Sequence, residues 1–358
     1  MLSTLEKAKK DRKDFYFRNG DPMPSDVAIV RGDDRRQNIH QALELVSDQI
    51  RLRNRIVIKP NMVSITKPLS ATHAEALDAV LRFISERTDS KITVAEGCAV
   101  ADTMKGFEIY GLREIARRYG ARLVDLNRDE WVEVEVVDRD LRPMSLRFAR
   151  TVAESDCRIS LTPMKTHDAV IVTLSLKNLV MGSLISKGLR GLDQLAHVLS
   201  HWVRPRDALY RRGFGWVVRH LLRSDKVAMH QTYPTMNYNL FLIAKAYPVH
   251  LAILDGFTAM EGRGPTLGQP VDLRLAVVST DFIAADSVGA RIMGFDPKEI
   301  GYLHHAIADG LGEGSLDRIR ILGDHLEDCV RPFEPHPNYQ RQRDWKKVEV
   351  EELRASRM

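Results

Sequence analysis

Short runs of β-branched residues alternate with longer amphipathic stretches along most of this chain of 358 residues. Residues 27–30 and 55–58 are typical of buried strands, and residues 39–50 between them carry apolar side chains at near-helical spacing. Two parallel strands can be joined only by a crossover connection, which is usually a helix. The alternation therefore predicts an α/β protein built from βα units around a mostly parallel sheet.

Further strands and helices continue this alternation. Thr72 and Glu75 form a capping box for a helix that ends near residue 87. A hairpin outside the main sheet is predicted where residues 131–137 and 145–148 flank a turn. The remaining predicted elements are strands at residues 91–95, 122–126, 158–161, 250–254 and 274–279, and helices at residues 111–119 and 282–293. Together they predict a Rossmann-like layered sheet with helices on both faces.

The chain divides into one large domain with a segment on either side. We predict an N-terminal arm at residues 1–24, an α/β domain at 25–330 and a polar C-terminal tail at 331–358. A helical insert at about residues 183–246 interrupts the domain, and its part at 202–226 mixes seven cationic side chains with aromatic ones. Such a composition suits nucleic acid or a membrane surface. We favour a solvated lid or the face of a homo-oligomer, because the net charge of the chain is only +5.

Composition excludes other classes of protein. With 44% hydrophobic and 28% charged residues, the chain is expected to be globular and not disordered. No stretch approaches the roughly 18 apolar residues of a membrane span, and the charged N-terminus differs from a signal peptide, so a cytoplasmic protein is expected. Cys98, Cys157 and Cys329 lie far apart in sequence. The sequence therefore predicts no cysteine-ligated iron–sulfur cluster or zinc site.

Polar and titratable side chains follow four of the predicted strands. In open α/β sheets, ligands bind at the carboxyl ends of the strands, where the connecting loops converge. Each of these residues alone is explained by turn chemistry or by solvation, but their common position predicts one shared site. The side chains concerned are Lys59, Asn61, Glu96, Lys165, Thr166, His167, Asp255, Glu261 and Arg263.

The segment PMKTHDAVIVTLSLKNLVMG is the most distinctive part of the sequence. Lys165 and His167 lie two residues apart in a predicted loop, and Lys177 and Asn178 follow in an amphipathic stretch. Lysine supplies a positive charge for a carboxylate or a phosphate, and histidine exchanges a proton near neutral pH. The pattern indicates a base beside an anion-binding group, and the alternative is that His167 caps the strand end while the lysines are solvated.

A glycine-rich loop and three carboxylates complete the set of candidate residues. Gly264 lets a backbone amide approach a ligand closely, but the spacing of the glycines and the strand that follows exclude a dinucleotide-binding fingerprint. Asp286 lies inside a predicted helix, where aspartate is unfavourable, so it needs a partner. Together with Asp255 and Glu261, Asp286 is predicted to supply oxygen ligands for Mg²⁺, although the three carboxylates lie far apart in sequence.

An ordered series of sequence blocks points to a family. The blocks include VIKPNMV, VAEG, ISLTPMKTHDAVIVTLSLKNLVMG and STDFIAADSVGARIMGFDP, and the series extends over about residues 55–305. It resembles the family catalogued as domain of unknown function 362. Many members carry a ferredoxin-like module with two iron–sulfur clusters, and these 358 residues contain none, so redox chemistry is not carried over. The resemblance implies site residues at Lys59, Asn61, Glu96, Lys165, His167, Lys177, Asn178, His230, Asp255, Glu261 and Asp286.

These observations favour an enzyme that acts on a small anionic substrate, either a carboxylate or a phosphate. Lys165, His167, Lys177 and His230 are the predicted catalytic residues, and proton transfer by His167 or Lys165 predicts a racemase, an isomerase or a lyase. The layout is loosely similar to that of lactate-racemase-type enzymes, which names no substrate. One alternative is a non-catalytic protein that binds an anionic metabolite or a metal complex, and another is an electron-transfer accessory protein.

The purified protein is predicted to be colourless, because the sequence offers neither a cysteine cluster nor a dinucleotide-binding fingerprint. The visible absorption spectrum, together with analysis for iron and sulfide, checks this. Stoichiometric iron with sulfide, or the absorption of a flavin, would contradict the prediction.

Overall fold

One sheet organises the part of the chain that the structure describes. The structure is a computed structural model, and it describes residues 17–18, 21–22, 25–186 and 224–347. Phe17–Arg18 and Asp21–Pro22 form a small separate pair. The longer series of strands is β1 (Asp26–Arg31), β2 (Arg55–Lys59), β3 (Lys91–Glu96), β4 (Arg122–Asp125), β5 (Trp131–Val137), β6 (Pro143–Ala149), β7 (Cys157–His167), β8 (Ile171–Thr173), β9 (Leu251–Glu261), β10 (Gln269–Ser279) and β11 (Arg320–Gly323).

The main sheet is mixed and mostly parallel, which confirms the predicted fold class. Strands β11, β1, β10, β9, β7, β2, β3 and β4 lie side by side in this order, and β8 pairs with β7. The pairs β9–β7, β7–β2, β2–β3 and β3–β4 are parallel, whereas β10 runs antiparallel to both β9 and β1. Strands β5 and β6 form the predicted hairpin outside this sheet.

Helices cover both faces of the sheet. In chain order they are α1 (Arg35–Leu45), α2 (Ala74–Ser85), α3 (Thr103–Ile109), α4 (Leu112–Arg118), α5 (Arg150–Ala153), α6 (Ser175–Ser183), α7 (Asp225–Ala228), α8 (Tyr233–Ala246), α9 (Phe282–Ile292), α10 (Gly301–Ala308), α11 (Leu326–Cys329) and α12 (Tyr339–Gln342). Side chains alternate along a strand, so Val57 joins one apolar cluster while Ile56 and Ile58 join the other. Helices α1 and α2 cover the face with Ile56, and α8 and α9 cover the opposite face.

The strand that carries the distinctive motif is much longer than the sequence pattern predicts. We predict a strand at residues 158–161 followed by a loop, and the loop is wrong, because β7 continues through Lys165 to His167 with every residue buried. The polar residues stay in the sheet because both sides are paired. Lys165 aligns with Met260 of β9 and with Thr173 of β8.

The predicted capping box is wrong as well. Helix α2 is capped by His73, whose Nδ1 accepts from the Glu75 amide at 3.2 Å. The Thr72 hydroxyl instead accepts from the Asn61 amide at 2.7 Å and donates to the Leu161 carbonyl at 2.9 Å. Thr72 therefore connects the segment after β2 to β7 by hydrogen bonds. This connection positions Asn61.

The two flanking segments and the insert are described only in part. Residues 331–347 of the predicted tail lie against the domain, where Phe333 and Trp345 are buried and Trp345 Nε1 donates to the Glu299 carbonyl. Most of the basic insert, residues 187–223, lies outside the described residues, so the lid or oligomer face stays a prediction. Within the described ranges, none of the helices combines the length and the apolar character that crossing a bilayer requires.

Asp286 has the partner that its position in a helix demands, and this partner is a helix terminus. Its carboxylate accepts from the amides of Ser175 and Leu176, at 2.8 and 3.0 Å, and so caps α6 from outside. Burial raises the pKa of Asp286 to about 7. The residue at the N-cap position, Leu174, has no side chain that could accept these bonds, so α6 depends on α9 for its cap.

We expect Asp286→Ala to destabilise the protein, because two buried N–H groups lose their acceptor at a cost of about 1–3 kcal/mol each. Urea unfolding measures the free energy of unfolding. Ser287→Ala is the matched control, since Ser287 is fully buried and its hydroxyl has no hydrogen-bond partner among the described residues. An equal loss in both variants would contradict the capping role.

Candidate functional site

Strands β2 and β3 end in opposite charges that meet inside the protein. Lys59 and Glu96 are the last residues of these strands, and both are almost fully buried. Lys59 Nζ lies 2.5 Å from Glu96 Oε2 and also donates to the Pro60 carbonyl and to Asn178 Oδ1, at 2.7 and 3.0 Å. These three acceptors match the three N–H groups of an ammonium. Burial lowers the pKa of Lys59 and raises that of Glu96, and the ion pair opposes both shifts.

Two asparagines connect this ion pair to Lys165. Asn178 Oδ1 accepts from Asn61 Nδ2 at 2.9 Å, and Asn178 Nδ2 donates to the Lys59 carbonyl and to Ser160 Oγ. Asn61 Oδ1 accepts in turn from Lys165 Nζ at 2.6 Å. We call Lys59, Asn61, Glu96, Lys165 and Asn178 the polar cluster. The structure brings these five predicted site residues into one connected hydrogen-bond network.

Lys165 differs from Lys59 in its surroundings. It is fully buried, and its Nζ donates to Asn61 Oδ1 and, at 3.3 Å, to the Ser70 carbonyl, with no carboxylate of the described residues in contact. Burial lowers the pKa of Lys165 well below its usual value, and the charges of Lys177 and Lys59 lower it further. A neutral amine has two N–H donors, which the two acceptors satisfy. Burial therefore disfavours the charged form of Lys165.

The Lys177 side chain is buried without a hydrogen-bond acceptor or a counter-ion among the described residues. It lies in the first turn of α6 with 7% of its surface exposed, and it has no hydrogen-bond or ion-pair partner among the described residues. Burial lowers the pKa of Lys177 to about 8, and the nearby Asp168 partly opposes this shift. The ammonium thus keeps most of its charge at pH 7, and a bound anion would stabilise that charge.

His167 ends β7 as a neutral ring. The Ala169 amide donates to Nδ1 at 3.0 Å, so Nδ1 carries a lone pair and Nε2 carries the hydrogen. Burial and the charge of Lys177 lower the pKa of His167 to about 3. Asp168 Oδ1 also lies 3.0 Å from Nδ1, but a neutral ring offers it no hydrogen, so this contact is not an ion pair at neutral pH.

His230 approaches the same region from the other side of the insert. Its Nδ1 lies 2.7 Å from the Lys226 carbonyl and donates to it, which leaves Nε2 as an acceptor. Neighbouring protein atoms desolvate the ring and lower the pKa of His230, and the charge of Asp168 opposes this shift. Part of the His230 ring and part of the Asp168 side chain are exposed, so within the described part of the chain solvent reaches this side of the site.

The glycine-rich turn lies against β7 at Thr166. Thr166 Oγ1 donates to the Gly262 carbonyl at 3.0 Å, and a Cβ added to Gly264 would lie only 2.0 Å from the Thr166 carbonyl oxygen. Gly264 is therefore required for close packing of the turn. Arg263 is exposed in the same turn, and the structure shows no side-chain contact between it and the polar cluster.

The three carboxylates proposed as magnesium ligands do not come together. Asp255 accepts from Arg35 Nε at 3.2 Å, Glu261 accepts from the Glu334 amide at 2.9 Å, and Asp286 caps α6. In the described part of the chain, no three acidic, histidine or cysteine side chains are grouped as a metal would need. These three carboxylates therefore do not form one ligand set, because each already has a partner within the protein, and the binding of Mg²⁺ stays a prediction.

Lys226 is a site residue that the sequence pattern misses. It belongs to the stretch we interpret as a solvated face, yet it is 93% buried and donates to the Gly97 carbonyl at 2.7 Å and to Asn127 Oδ1 at 2.8 Å. Burial lowers the pKa of Lys226 to about 8, and the charge of Glu96 opposes this. Its position four residues before His230 is the sequence signal that points to it.

A glycine and the C-terminal segment also shape the site, and the sequence alone does not predict either contribution. A Cβ on Gly182 would lie 2.0 Å from Lys59 Cε, so only glycine lets α6 approach the ion pair this closely. At the other end of the site, Gln342 Nε2 donates to the His167 carbonyl, and Asn338 Nδ2 donates to the Asp168 carbonyl at 3.3 Å. The C-terminal segment thus covers the strand end that carries His167.

A surface cleft of about 690 Å³ opens elsewhere on the molecule, between α1, α2 and α4. Its lining includes Arg36, His40, Asp78 and Arg118. None of the predicted site residues borders it, and Asp78 is already bonded to Arg36 and Arg118. The predicted site residues therefore lie apart from this cleft.

Comparison with known proteins identifies the family. A family model described as "Domain of unknown function (DUF362)" matches residues 56–291, well over half of the chain. The chain belongs to this family. The DUF362 region contains the polar cluster together with His167, Lys177, Lys226 and His230, whereas Gln342 lies beyond it.

The individual proteins to which this chain is similar share little sequence identity with it. A thylakoid-associated protein of Synechocystis sp., sll1697, is 24% identical over 249 residues, which are 69% of this chain and 65% of that protein. The lactate racemase apoprotein of Thermoanaerobacterium thermosaccharolyticum is similar at 12% identity with a TM-score of 0.39, covering 74% of this chain and 57% of that one. A Thermotoga maritima protein is similar at 11% identity with a TM-score of 0.42, covering 73% of this chain and 59% of that one. The chain thus spans less than two thirds of each of these proteins.

We expect Lys177→Met to stabilise this DUF362 protein at pH 7. The folded pKa of about 8 lies below the unfolded value of about 10.4, so the folded state binds fewer protons between these values and wild-type stability falls as the pH decreases through them. Methionine removes this penalty, worth about 3 kcal/mol at most. Urea unfolding at pH 7 and above pH 10 measures the gain, which must vanish at the higher pH.

Lys245→Met serves as the control, because Lys245 is 44% exposed and pairs with Asp309 at the surface. Its effect should be small at both pH values. A Lys177→Met variant that is less stable than wild type at pH 7 would show that Lys177 has a stabilising partner.

Proposed function

We propose that this protein is an enzyme that transfers protons on a small anionic substrate, a carboxylate or a phosphate. The observation that carries the proposal is Lys177, a buried ammonium with no hydrogen-bond or ion-pair partner among the described residues. Its charge lowers the pKa of two neighbouring groups, the buried amine of Lys165 and the neutral imidazole of His167. A charge that binds the substrate and two groups that exchange protons are the parts that acid–base catalysis requires.

The surroundings of Lys177 support an anionic substrate. Lys59, Lys177 and Lys226 are all buried in this region, and the carboxylates that act on them are those of Glu96, Asp125 and Asp168. The carboxylate of Glu96 already forms an ion pair with Lys59. Burying further positive charge without a counter-ion costs several kcal/mol, and an anion bound at Lys177 recovers part of that cost.

The two neutral groups supply the chemistry. Lys165, as a free amine, accepts a proton from a carbon of the substrate, and the resulting ammonium is stabilised by Asn61 Oδ1 and the Ser70 carbonyl. The hydrogen on His167 Nε2 is available for donation. Racemisation, isomerisation and elimination all begin with such a proton transfer at carbon, and the proposal covers this class of reaction.

The experiment is hydrogen–deuterium exchange in D₂O, followed by NMR on a panel of 2-hydroxy acids, amino acids and phosphate esters. We expect one class of compound to exchange a carbon-bound hydrogen in the presence of the protein. Lys177→Gln should weaken substrate binding about tenfold or more, since a charge-assisted hydrogen bond is lost. Lys165→Gln should abolish exchange while binding remains, and Lys245→Gln should change neither. No exchange across the panel would contradict an acid–base enzyme.

One observation favours the second candidate function, a protein that binds an anionic metabolite without converting it. Lys165 is fully buried, and the hydrogen bonds of the polar cluster are closed within the protein. Native mass spectrometry of the freshly purified protein separates the two. A retained anion that leaves in Lys177→Gln, combined with no deuterium exchange in the retained compound, would establish binding in place of catalysis.

A further inference from the structure

The turn between β7 and β8 holds its backbone in a strained conformation. The Val172 amide donates to the Val170 carbonyl at 2.8 Å, and Ile171 between them has a φ of 69°. A hydrogen bond across a single residue of positive φ defines the rare and strained form of the γ-turn. Glycine adopts this φ without strain, whereas a β-branched residue such as Ile171 keeps it only where the surrounding structure enforces it.

Two polar groups beside this turn are also in unfavourable surroundings. Asp168 Oδ1 lies 3.0 Å from His167 Nδ1, which already accepts from the Ala169 amide and has no hydrogen to offer the carboxylate. On the other side of the turn, Gln342 Oε1 is buried with no hydrogen-bond partner among the described residues. Backbone strain and unsatisfied polar groups persist mainly where function requires them. Three unfavourable features thus meet at one turn, residues 167–171.

The C-terminal segment, residues 331–347, supplies bonds that hold this turn. Gln342 Nε2 donates to the His167 carbonyl, and Asn338 Nδ2 donates to the Asp168 carbonyl at 3.3 Å. A carbonyl oxygen only accepts, so the nitrogen of the Gln342 amide must be the atom that meets it. The segment is also anchored to the domain on either side of these two bonds, by the hydrogen bonds between Glu334 and Gly262 and between Trp345 and Glu299.

The unsatisfied oxygen of Gln342 indicates that this side chain is needed for its N–H group. Gln342 is 1% exposed, and an apolar side chain would fill the same space without burying an acceptor that has no donor. The bond to the His167 carbonyl is the contact of the Gln342 side chain that the structure shows. This bond therefore accounts for a glutamine at a position where packing alone would favour an apolar residue.

We propose that Gln342 and Asn338 are positioning residues of the proposed site, which keep the hydrogen of His167 on Nε2 by holding the turn at residues 167–171 in its strained conformation. This inference rests on the proposed function, in which His167 donates that hydrogen. The two residues act through the backbone carbonyls of the turn and touch no reacting atom. They lie beyond the part of the chain that the family model matches, residues 56–291.

Release of the turn exchanges the roles of the two ring nitrogens. The Ala169 amide belongs to the same turn, so relaxation of Ile171 to a negative φ moves this amide away from His167 Nδ1. Asp168 Oδ1 is then the partner nearest to Nδ1 and accepts a hydrogen from it. One hydrogen leaves Nε2 for solvent and one is taken up at Nδ1, so the ring stays neutral. His167 therefore donates at Nε2 while the turn is held and accepts at Nε2 once it is released.

Nitrogen-15 NMR of the histidine rings tests the proposal, because it distinguishes a ring nitrogen that carries a hydrogen from one that carries a lone pair. The full chain is labelled at its 12 histidines and measured at pH 7 without any ligand. The signals of His167 are identified by their loss in His167→Gln. We expect the Nε2–H form in wild type. In Gln342→Met, the ratio of the Nε2–H form to the Nδ1–H form should fall about tenfold, since one hydrogen bond is lost.

Three further variants make the test specific. Arg343→Met removes an ion pair with Glu299 from the same segment and leaves both bonds to the turn, so the ratio should stay as in wild type. Ile171→Gly combined with Gln342→Met should restore the Nε2–H form, because glycine takes a positive φ without strain. Asn338→Ala changes a partly exposed side chain and should lower the ratio less, and it replaces Gln342→Met if that variant does not fold.

Several results would overturn the proposal. They are a wild-type ring in the Nδ1–H form, an unchanged ratio in Gln342→Met, an equal change in Arg343→Met, and no recovery in the double variant with Ile171→Gly. Each of them is read from the ring of His167 itself, which a loss of stability alone does not move from one form to the other.

The NMR measurement needs no substrate, so its failure is distinguishable from failure of the proposed function. Deuterium exchange catalysed by wild type, together with a His167 ratio that ignores Gln342→Met, would leave the enzyme standing and refute the positioning role. A ratio that falls as expected, together with no exchange in any compound of the panel, would establish the held turn and contradict the acid–base enzyme.

Discussion

The buried ion pair between Lys59 and Glu96 is the interaction on which the rest of the site depends. Removing either partner would leave an unpaired charge in a dry interior, at a cost of about 3–5 kcal/mol. The pair also requires space, since Gly182 of α6 approaches Lys59 so closely that a methyl group does not fit. Strands β2 and β3 deliver the two charges side by side because they are parallel neighbours that end at the same edge. The parallel sheet therefore places the two charges side by side, and their ion pair stabilises this arrangement of the strands.

Much of this arrangement is predictable from the sequence. Period-two alternation identifies the strand cores, and the rule that parallel strands end at one edge brings Lys59, Asn61, Glu96, Lys165 and Asn178 together, as the structure confirms. What each of these residues does stays a prediction. The rule fails where polar residues continue in a strand, as in the second half of β7, because hydrogen-bonding partners on both sides keep that segment in the sheet.

The remaining errors arise from partners that sequence does not reveal. Chemical type alone groups Asp286 with Asp255 and Glu261, whereas in the structure they are bonded to a helix terminus, an arginine and a backbone amide, respectively. The sequence presents Lys226 as one of seven cationic residues on a solvated face, whereas tertiary packing buries it beside Glu96. A charge pattern predicts the composition of a surface. Which of its charged residues is buried is decided by contacts with residues distant in sequence.

The cap on α6 decides how an anion can be held. The N-terminus of a helix offers free amides and a positive partial charge, and anions commonly bind there. In this protein the carboxylate of Asp286 occupies the amides of Ser175 and Leu176. An anion at this end of α6 therefore cannot use them, and in the first turn of α6 it is left with the ammonium of Lys177. The protein satisfies the helix with its own aspartate, so in the proposed function the binding charge is that of one side chain, Lys177, which also lowers the pKa of Lys165.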